Sequence, residues 1–229
     1  MRRCLTIVAF ASSLFAAPSL AEPNIDITYA QPDVAEQNGG ITYYDEQGRE
    51  FPLTEGSKFV QAELSPDGKM AAFVQIEVEG EPGYDTARTS LWIADIATRK
   101  SRKLLASTPA EEMTETLAAM WKPQFSLDGG FVYVMAEAWV TSSAIHQVNV
   151  KTGTHRYVTD GELLFVLQTG KYRGYLVVQK HKYPTDPEQG AFDPIYIVRP
   201  DNKVSFMVPH SDKDDGDQSL PAWLKKNAR

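Results

Sequence analysis

Apolar and polar positions alternate along most of the chain, and the clearest stretch covers residues 60–105. Two alternating runs there flank Ser65-Pro66-Asp67-Gly68. A third run, Ser90-Leu91-Trp92-Ile93-Ala94-Asp95-Ile96-Ala97-Thr98, follows, and Lys103-Leu104-Leu105 closes the unit. Trp92, Ala94 and Ile96 alternate with Leu91, Ile93 and Asp95, the period of two that gives a strand two different faces. Asp67-Gly68 has the spacing of a tight hairpin, because Asp and Gly tolerate the positive φ such turns need. The pattern predicts four strands. It recurs in Phe125-Ser126-Leu127-Asp128-Gly129, Val132-Tyr133-Val134-Met135, Ile145-His146-Gln147-Val148-Asn149-Val150 and Thr152-Gly153.

Elsewhere the same units are fainter. Ile41-Thr42-Tyr43-Tyr44 and Arg49-Glu50-Phe51-Pro52-Leu53-Thr54 flank Asp45-Glu46-Gln47-Gly48 and match the second half of the central unit. A third inner hairpin is expected around Gly170-Lys171-Tyr172-Arg173-Gly174, between 163–168 and 175–179. The outer turn centres Gln47-Gly48, Thr98-Arg99, Thr152-Gly153 and Asp201-Asn202 are 51, 54 and 49 residues apart, a period suited to propeller blades with long loops. Residues 22–40 read as a polar N-terminal arm with at most a short strand at Ile25-Asp26-Ile27-Thr28-Tyr29 and a break at Asn38-Gly39-Gly40. Residues 108–117 read either as a short helix with an acidic first turn or as a connector. Residues 211–229 read as a polar tail with a helical turn at Pro221-Ala222-Trp223-Leu224-Lys225. The expected fold is all-β, a partial or small β-propeller of about three to four four-stranded blades over 41–210.

Ser65-Pro66-Asp67-Gly68-Lys69 followed by Leu91-Trp92-Ile93-Ala94-Asp95 resembles the repeat of TolB-like, WD40-like β-propellers, a repeat also found in the propeller domains of prolyl-oligopeptidase-type peptidases. The resemblance covers roughly 41–209. In the second unit Leu127 stands where the repeat has proline, and the third unit lacks the Ser-Pro-Asp-Gly pattern. Asp and Gly of the repeat serve the turn and its apolar residues serve packing between blades. The resemblance therefore implies a scaffold or binding role and brings no catalytic residues with it.

The N-terminus changes the expected compartment. Arg2 and Arg3 precede an uncharged run ending Ala17-Pro18-Ser19-Leu20-Ala21, the layout of a secretory signal peptide over 1–21. An uncleaved membrane anchor is the alternative, but the apolar centre, 5–17, is short of the roughly 20 residues a span needs. Cleavage removes the single cysteine, Cys4, leaving a periplasmic or secreted chain held together by packing alone. It also leaves 21 basic against 30 acidic residues, a net charge of −9. Such a surface disfavours nucleic acid and anionic membranes, since phosphate binding draws on Lys and Arg.

Catalytic chemistry finds little support in the residue pattern. No Gly-x-Ser-x-Gly elbow occurs, and no stretch after the propeller region is long enough for a hydrolase domain. His146, His155, His181 and His210 lack zinc spacing and read as exposed strand or loop residues. Around Asp212-Lys213-Asp214-Asp215-Gly216-Asp217 the acids miss the EF-hand register, so a solvated acidic linker is expected. Neither a metal nor a cofactor is expected. Trp92 reads as core.

Blade geometry supplies the functional expectation. Connections from second to third strand, and from one blade to the next, emerge on one face of a propeller. The long segments 76–90, 107–120, 137–143 and 180–194 all belong to that face, and long loops on a rigid scaffold tend to be functional. Tyr84, Arg88, Trp121, Trp139, His181 and Tyr183 are the expected contacts for a protein or small-molecule partner. The reading is a non-catalytic binding module. A propeller-borne hydrolase or lyase, or a relic peptidase propeller without its catalytic domain, is the alternative. Closure is expected either through 25–29 completing the first blade of a four-bladed ring or through a homodimer that covers the open blades.

Overall fold

The computed structural model describes residues 31–56, 58–80, 87–139, 142–184, 190–212 and 219–227. The signal-peptide segment, the strand expected at 25–29, Tyr84, and most of the acidic 212–217 stretch lie outside these residues. Within them the chain forms four antiparallel sheets laid down strictly in sequence order, as a β-propeller requires.

Blade 1 holds β1 (Asp33–Gln37), β2 (Gly40–Tyr44) and β3 (Glu50–Pro52). Blade 2 holds β4 (Phe59–Leu64), β5 (Met70–Val78), β6 (Arg88–Asp95) and β7 (Lys100–Ala106). Blade 3 holds β8 (Met120–Phe125), β9 (Phe131–Trp139), β10 (Ser142–Asn149) and β11 (His155–Asp160). Blade 4 holds β12 (Glu162–Val166), β13 (Leu176–Gln179), β14 (Ile195–Val198) and β15 (Ser205–Met207). A helix, α1 (Ser219–Asn227), follows. The three inner hairpins and four outer hairpins expected from the pattern all form.

The repeated turn explains itself in atoms. Ser65 Oγ donates to Asp67 Oδ1 at 2.7 Å and accepts from the Met70 amide at 2.9 Å, while the Lys69 amide donates to Asp67 Oδ1 at 3.1 Å. Blade 3 repeats this with Ser126, Asp128, Phe131 and Gly130 at 2.6, 3.0 and 3.0 Å. Only the glycines take positive φ, +69° at Gly68 and +67° at Gly129. Serine and aspartate thus satisfy the turn amides, and glycine supplies the left-handed residue.

The structure corrects some of the sequence expectations and decides between others. The segment taken as an arm carries β1, joined to β2 by Asn38 (φ +52°) and Gly39 (φ +78°), two left-handed residues that make a type I′ hairpin. Its strand reads Asp33-Val34-Ala35-Glu36-Gln37, too polar to register as a strand alone. Residues 108–117 form no helix; they fold back as a loop closed by the Thr108–Leu117 bridge, with Leu117 fully buried. The C-terminal tail is more than a polar extension, because Leu220, Trp223 and Leu224 of α1 pack on blade 4 against Tyr172, Phe206 and the cluster around Ile195 and Ile197.

Apolar clusters run in series. Ile41, Phe59 and Phe73 bind blade 1 to blade 2. Leu91, Met120 and Val134 bind blade 2 to blade 3, and Met135, Leu163 and Leu176 bind blade 3 to blade 4. The face of blade 4 turned away from blade 3 belongs to α1. Trp92, expected in the core, packs half-buried against it, edge-on to Phe59 at 5.6 Å. His146 is not the exposed residue the pattern suggests: it is fully buried, and the Thr116 backbone faces its ring. Burial, with His155 close by, pushes its pKa down to about 4, so it stays neutral as a packing residue.

Candidate binding cavity between blades 3 and 4

A cavity of about 530 Å³ opens on the long-connection face between the third and fourth blades. Trp121 enters from the start of β8, and Met135 and Glu137 from the end of β9. Ser142 and Ser143 enter from the start of β10, Gly161 and Glu162 from the β11–β12 joint, and Gln179, His181 and Asp193 from the two ends of the β13–β14 connection. Segments up to 72 residues apart in sequence, Trp121 to Asp193, meet here only because blade-to-blade joints and second-to-third connections share one face.

The joint is tight. Gly161 has φ +118°, and its amide donates to the Ser143 carbonyl at 2.9 Å. The β13–β14 connection is pinned at its base: Lys180 N donates to Pro194 O at 3.0 Å, and Lys182 and Phe192 exchange two backbone bonds. His181 Nδ1 lies 2.7 Å from Asp193 Oδ1, and the Tyr183 ring meets the imidazole edge-on at 4.9 Å. Tyr183 itself is 70% exposed, an aromatic side chain held in solvent.

Charge around the cavity is organised in pairs. Glu162 accepts from Lys122 Nζ at 2.5 Å. Behind the cavity, buried Lys180 donates to Thr159 Oγ1 at 2.5 Å and to Asp160 Oδ1 at 2.6 Å, with Lys182 3.5 Å from the other carboxylate oxygen. Burial opposes ionisation of Asp160, but the bond from Lys180 and the charges of Lys180 and Lys182 hold its carboxyl below the usual range. Tyr157, half-buried and facing Asp160, is pushed up to about 12.

Of the six residues expected at the binding face, Trp121 and His181 line this cavity and Tyr183 packs on His181. Trp139 ends β9 opposite Ser142, its backbone at the rim. Arg88 begins β6 in blade 2, exposed and outside the cavity lining. The cavity's carboxylates were not singled out in the sequence, since acids are frequent in this chain and only strand ends place Glu137, Glu162 and Asp193 together. Among the described residues no group of three or more His, Cys, Asp or Glu could hold a metal ion, and no helix is long and apolar enough to cross a membrane.

A second cavity, about 380 Å³, lies among the inner strands β4, β8 and β12. Its lining includes Glu63, whose Oε1 accepts from the Phe125 amide at 3.0 Å. Burial pushes the Glu63 carboxyl up to about 7, only partly offset by that amide. The folded state therefore holds this proton more tightly than the unfolded chain. Its contribution to stability is full below about pH 4.5 and is lost as pH rises to 7, about 3 kcal/mol at most. Urea unfolding at pH 5 and pH 8 checks this. Glu63→Gln, which keeps the carbonyl acceptor for Phe125, is expected to narrow the difference between the two pH values, and an unchanged difference would assign the pH dependence elsewhere.

No family model and no curated protein sequence matches this chain. Solved structures do. The tricorn protease superposes with a TM-score of 0.54 at 14% identity, over 76% of this chain and 15% of that one. Porphyromonas gingivalis dipeptidyl peptidase 4 gives 0.51 at 13%, over 76% and 30%. TolB from Acinetobacter baumannii gives 0.50 at 15%, over 77% and 40%. The chain thus spans less than half the length of each, and at these identities the likeness concerns the fold. Four sequential antiparallel sheets, the Ser-x-Asp-Gly turns and these superpositions together establish that this chain folds as a partial β-propeller of the TolB-like kind.

Proposed function

We infer that the protein is an exported, non-catalytic binding module that takes its ligand in the cavity between blades 3 and 4. The observation that carries this reading is the convergence of Trp121 and the Asp193-held His181 on one cavity, beside the exposed ring of Tyr183. Aromatic side chains fixed on a rigid rim give large contact energies at low entropic cost. The basic and apolar N-terminal 21 residues support export.

Pull-down from periplasmic extract supplies the ligand, and variants then locate it. Trp121→Ala and His181→Ala are each expected to weaken binding by about 2 kcal/mol, close to thirtyfold. Arg49→Ala, on an outer hairpin of blade 1 where Arg49 contacts only that hairpin's Asp45 at 2.6 Å, Gln47 at 3.2 Å and the Phe51 ring, should leave it unchanged. Equal weakening by Arg49→Ala, with all three variants folded, would move the ligand off this face.

An enzyme is the second reading, favoured by the His181–Asp193 pair beside Glu137 and Glu162. The two readings separate on the fate of the ligand: recovered unchanged after prolonged incubation it supports binding alone, and recovered as product it supports catalysis.

A further inference from the structure

The inner-strand cavity differs in kind from the one on the loop face. Its polar groups are Glu63, Gln124 and Gln168, and the rest of the lining is Phe125, Leu164, Phe165 and Val166. At the loop-face cavity Glu162 has Lys122 and Asp193 has His181. Glu63 has no cation within 4.0 Å among the described residues, and its one bond is to a backbone amide. Charges on β1 and β8, which pack on β4, are engaged elsewhere. Glu36 accepts from the Gln61 amide at 2.5 Å, and Lys122 is bonded to Glu162. Gln124 is turned to the Leu164 carbonyl at 3.2 Å.

A largely buried carboxyl without a counter-ion is costly when ionised, and the cost disappears when a cation of the right size arrives. The apolar walls reject a strongly hydrated metal ion, which wants several oxygen ligands, and accept a methylene chain. We propose that this cavity binds a primary ammonium group on an aliphatic stem, with Glu63 as its counter-ion. The stem lies along Leu164, Phe165 and Val166, and the ammonium hydrogens find Glu63 and the amide oxygens of the two glutamines. Such a site faces the inner strands and is independent of the loop-face ligand.

Binding requires the ionised carboxyl, so it is linked to loss of the Glu63 proton. With that carboxyl pushed up to about 7, the apparent affinity falls about tenfold from pH 8 to pH 6. The test titrates the full chain with n-butylamine and, as the neutral isostere, n-butanol, following amide resonances. The expected result is shifts centred on Phe125 and Leu164, amine binding at least tenfold tighter than alcohol at pH 8, and a tenfold loss at pH 6. Glu63→Gln should bind amine and alcohol alike at both pH values. A thermal melt of that variant checks folding, and if it fails to fold the pH series on the unaltered chain decides alone. Equal affinity for amine and alcohol, a pH-independent constant, undetectable amine binding, or shifts centred away from Phe125 and Leu164 would each overturn the proposal. A capped tripeptide with a central lysine, run beside the amine, distinguishes the source. Comparable binding identifies an inserted lysine side chain, and binding of the amine alone identifies a free amine.

Discussion

Replacing Gly161 with alanine is expected to lower stability by about 3 kcal/mol, the sum of a left-handed backbone forced on a residue with a Cβ and a steric collision. At φ +118° the new Cβ would sit 2.5 Å from the Gln179 carbonyl oxygen and 2.7 Å from Val178 Cγ1. Neither can retreat easily: Gln179 and Val178 are held in β13 by pairing with both β12 and β14. Gly48, also left-handed at +71° but with nothing within 4 Å of its Cβ position, provides the comparison. Gly48→Ala should cost about 1 kcal/mol, from backbone strain alone. Urea midpoints of the two variants decide the matter. Equal losses would mean that the β11–β12 joint relaxes, and the cavity it frames would then be far softer than its hydrogen bonds suggest.

Deleting residues 212–229 is expected to cost about 3 kcal/mol and to make the protein associate. The helix it removes has no fully buried residue, so the loss comes from three partly buried side chains and from the face they shield. Trp223 stacks on Tyr172 at 5.5 Å and 28°, and Leu220 and Leu224 extend the contact over Phe206 and the blade 4 cluster. Burial of apolar surface at about 25 cal/mol per Å² makes such a patch worth a few kcal/mol, less the entropy of ordering a nine-residue helix. Once uncovered, the sheet face is a contiguous apolar patch of the sort that drives association. Trp223→Ala alone should cost about 2 kcal/mol. Lys225→Ala, on the exposed side of the helix, should cost almost nothing. Light scattering and denaturation together test this. A truncated chain that stays monomeric with an unchanged midpoint would show that α1 does not seal the last blade.

Sequence by itself determined the blades. Alternation in 60–105 decided which side chains of β5 and β6 share a face, Phe73, Trp92 and Ala94 toward blade 1 and Ala72, Leu91 and Ile93 toward blade 3, because a strand's period is two. The Ser-x-Asp-Gly turns fixed where the inner hairpins reverse, since Ser65, Asp67 and Gly68 satisfy that turn using only each other and their immediate neighbours. Local chemistry of this sort is legible without knowing anything distant. Asn38-Gly39 carries a plain type I′ signal, yet the polar strand before it shows no alternation and is held in place by pairing with β2, packing on β4 and the burial of Val34. Trp121, His181 and Tyr183 could be placed on the loop face from blade connectivity, which is a topological rule rather than a contact.

Tertiary structure alone decided the rest. Which expected contacts share a cavity depended on the spacing of blades, and it put Trp121 with His181 while leaving Arg88 on another blade. The partners of Glu63, Glu162 and Asp193 were invisible in a chain with 30 acidic residues, because a carboxylate's role is set by what lies within a few ångströms and by how much water remains. The helix in the tail was foreseen as a turn but not as the cover of blade 4. Its three apolar residues amount to little until a sheet face of matching apolar character lies opposite, and that face is assembled from strands that the sequence keeps up to 57 residues apart from the helix.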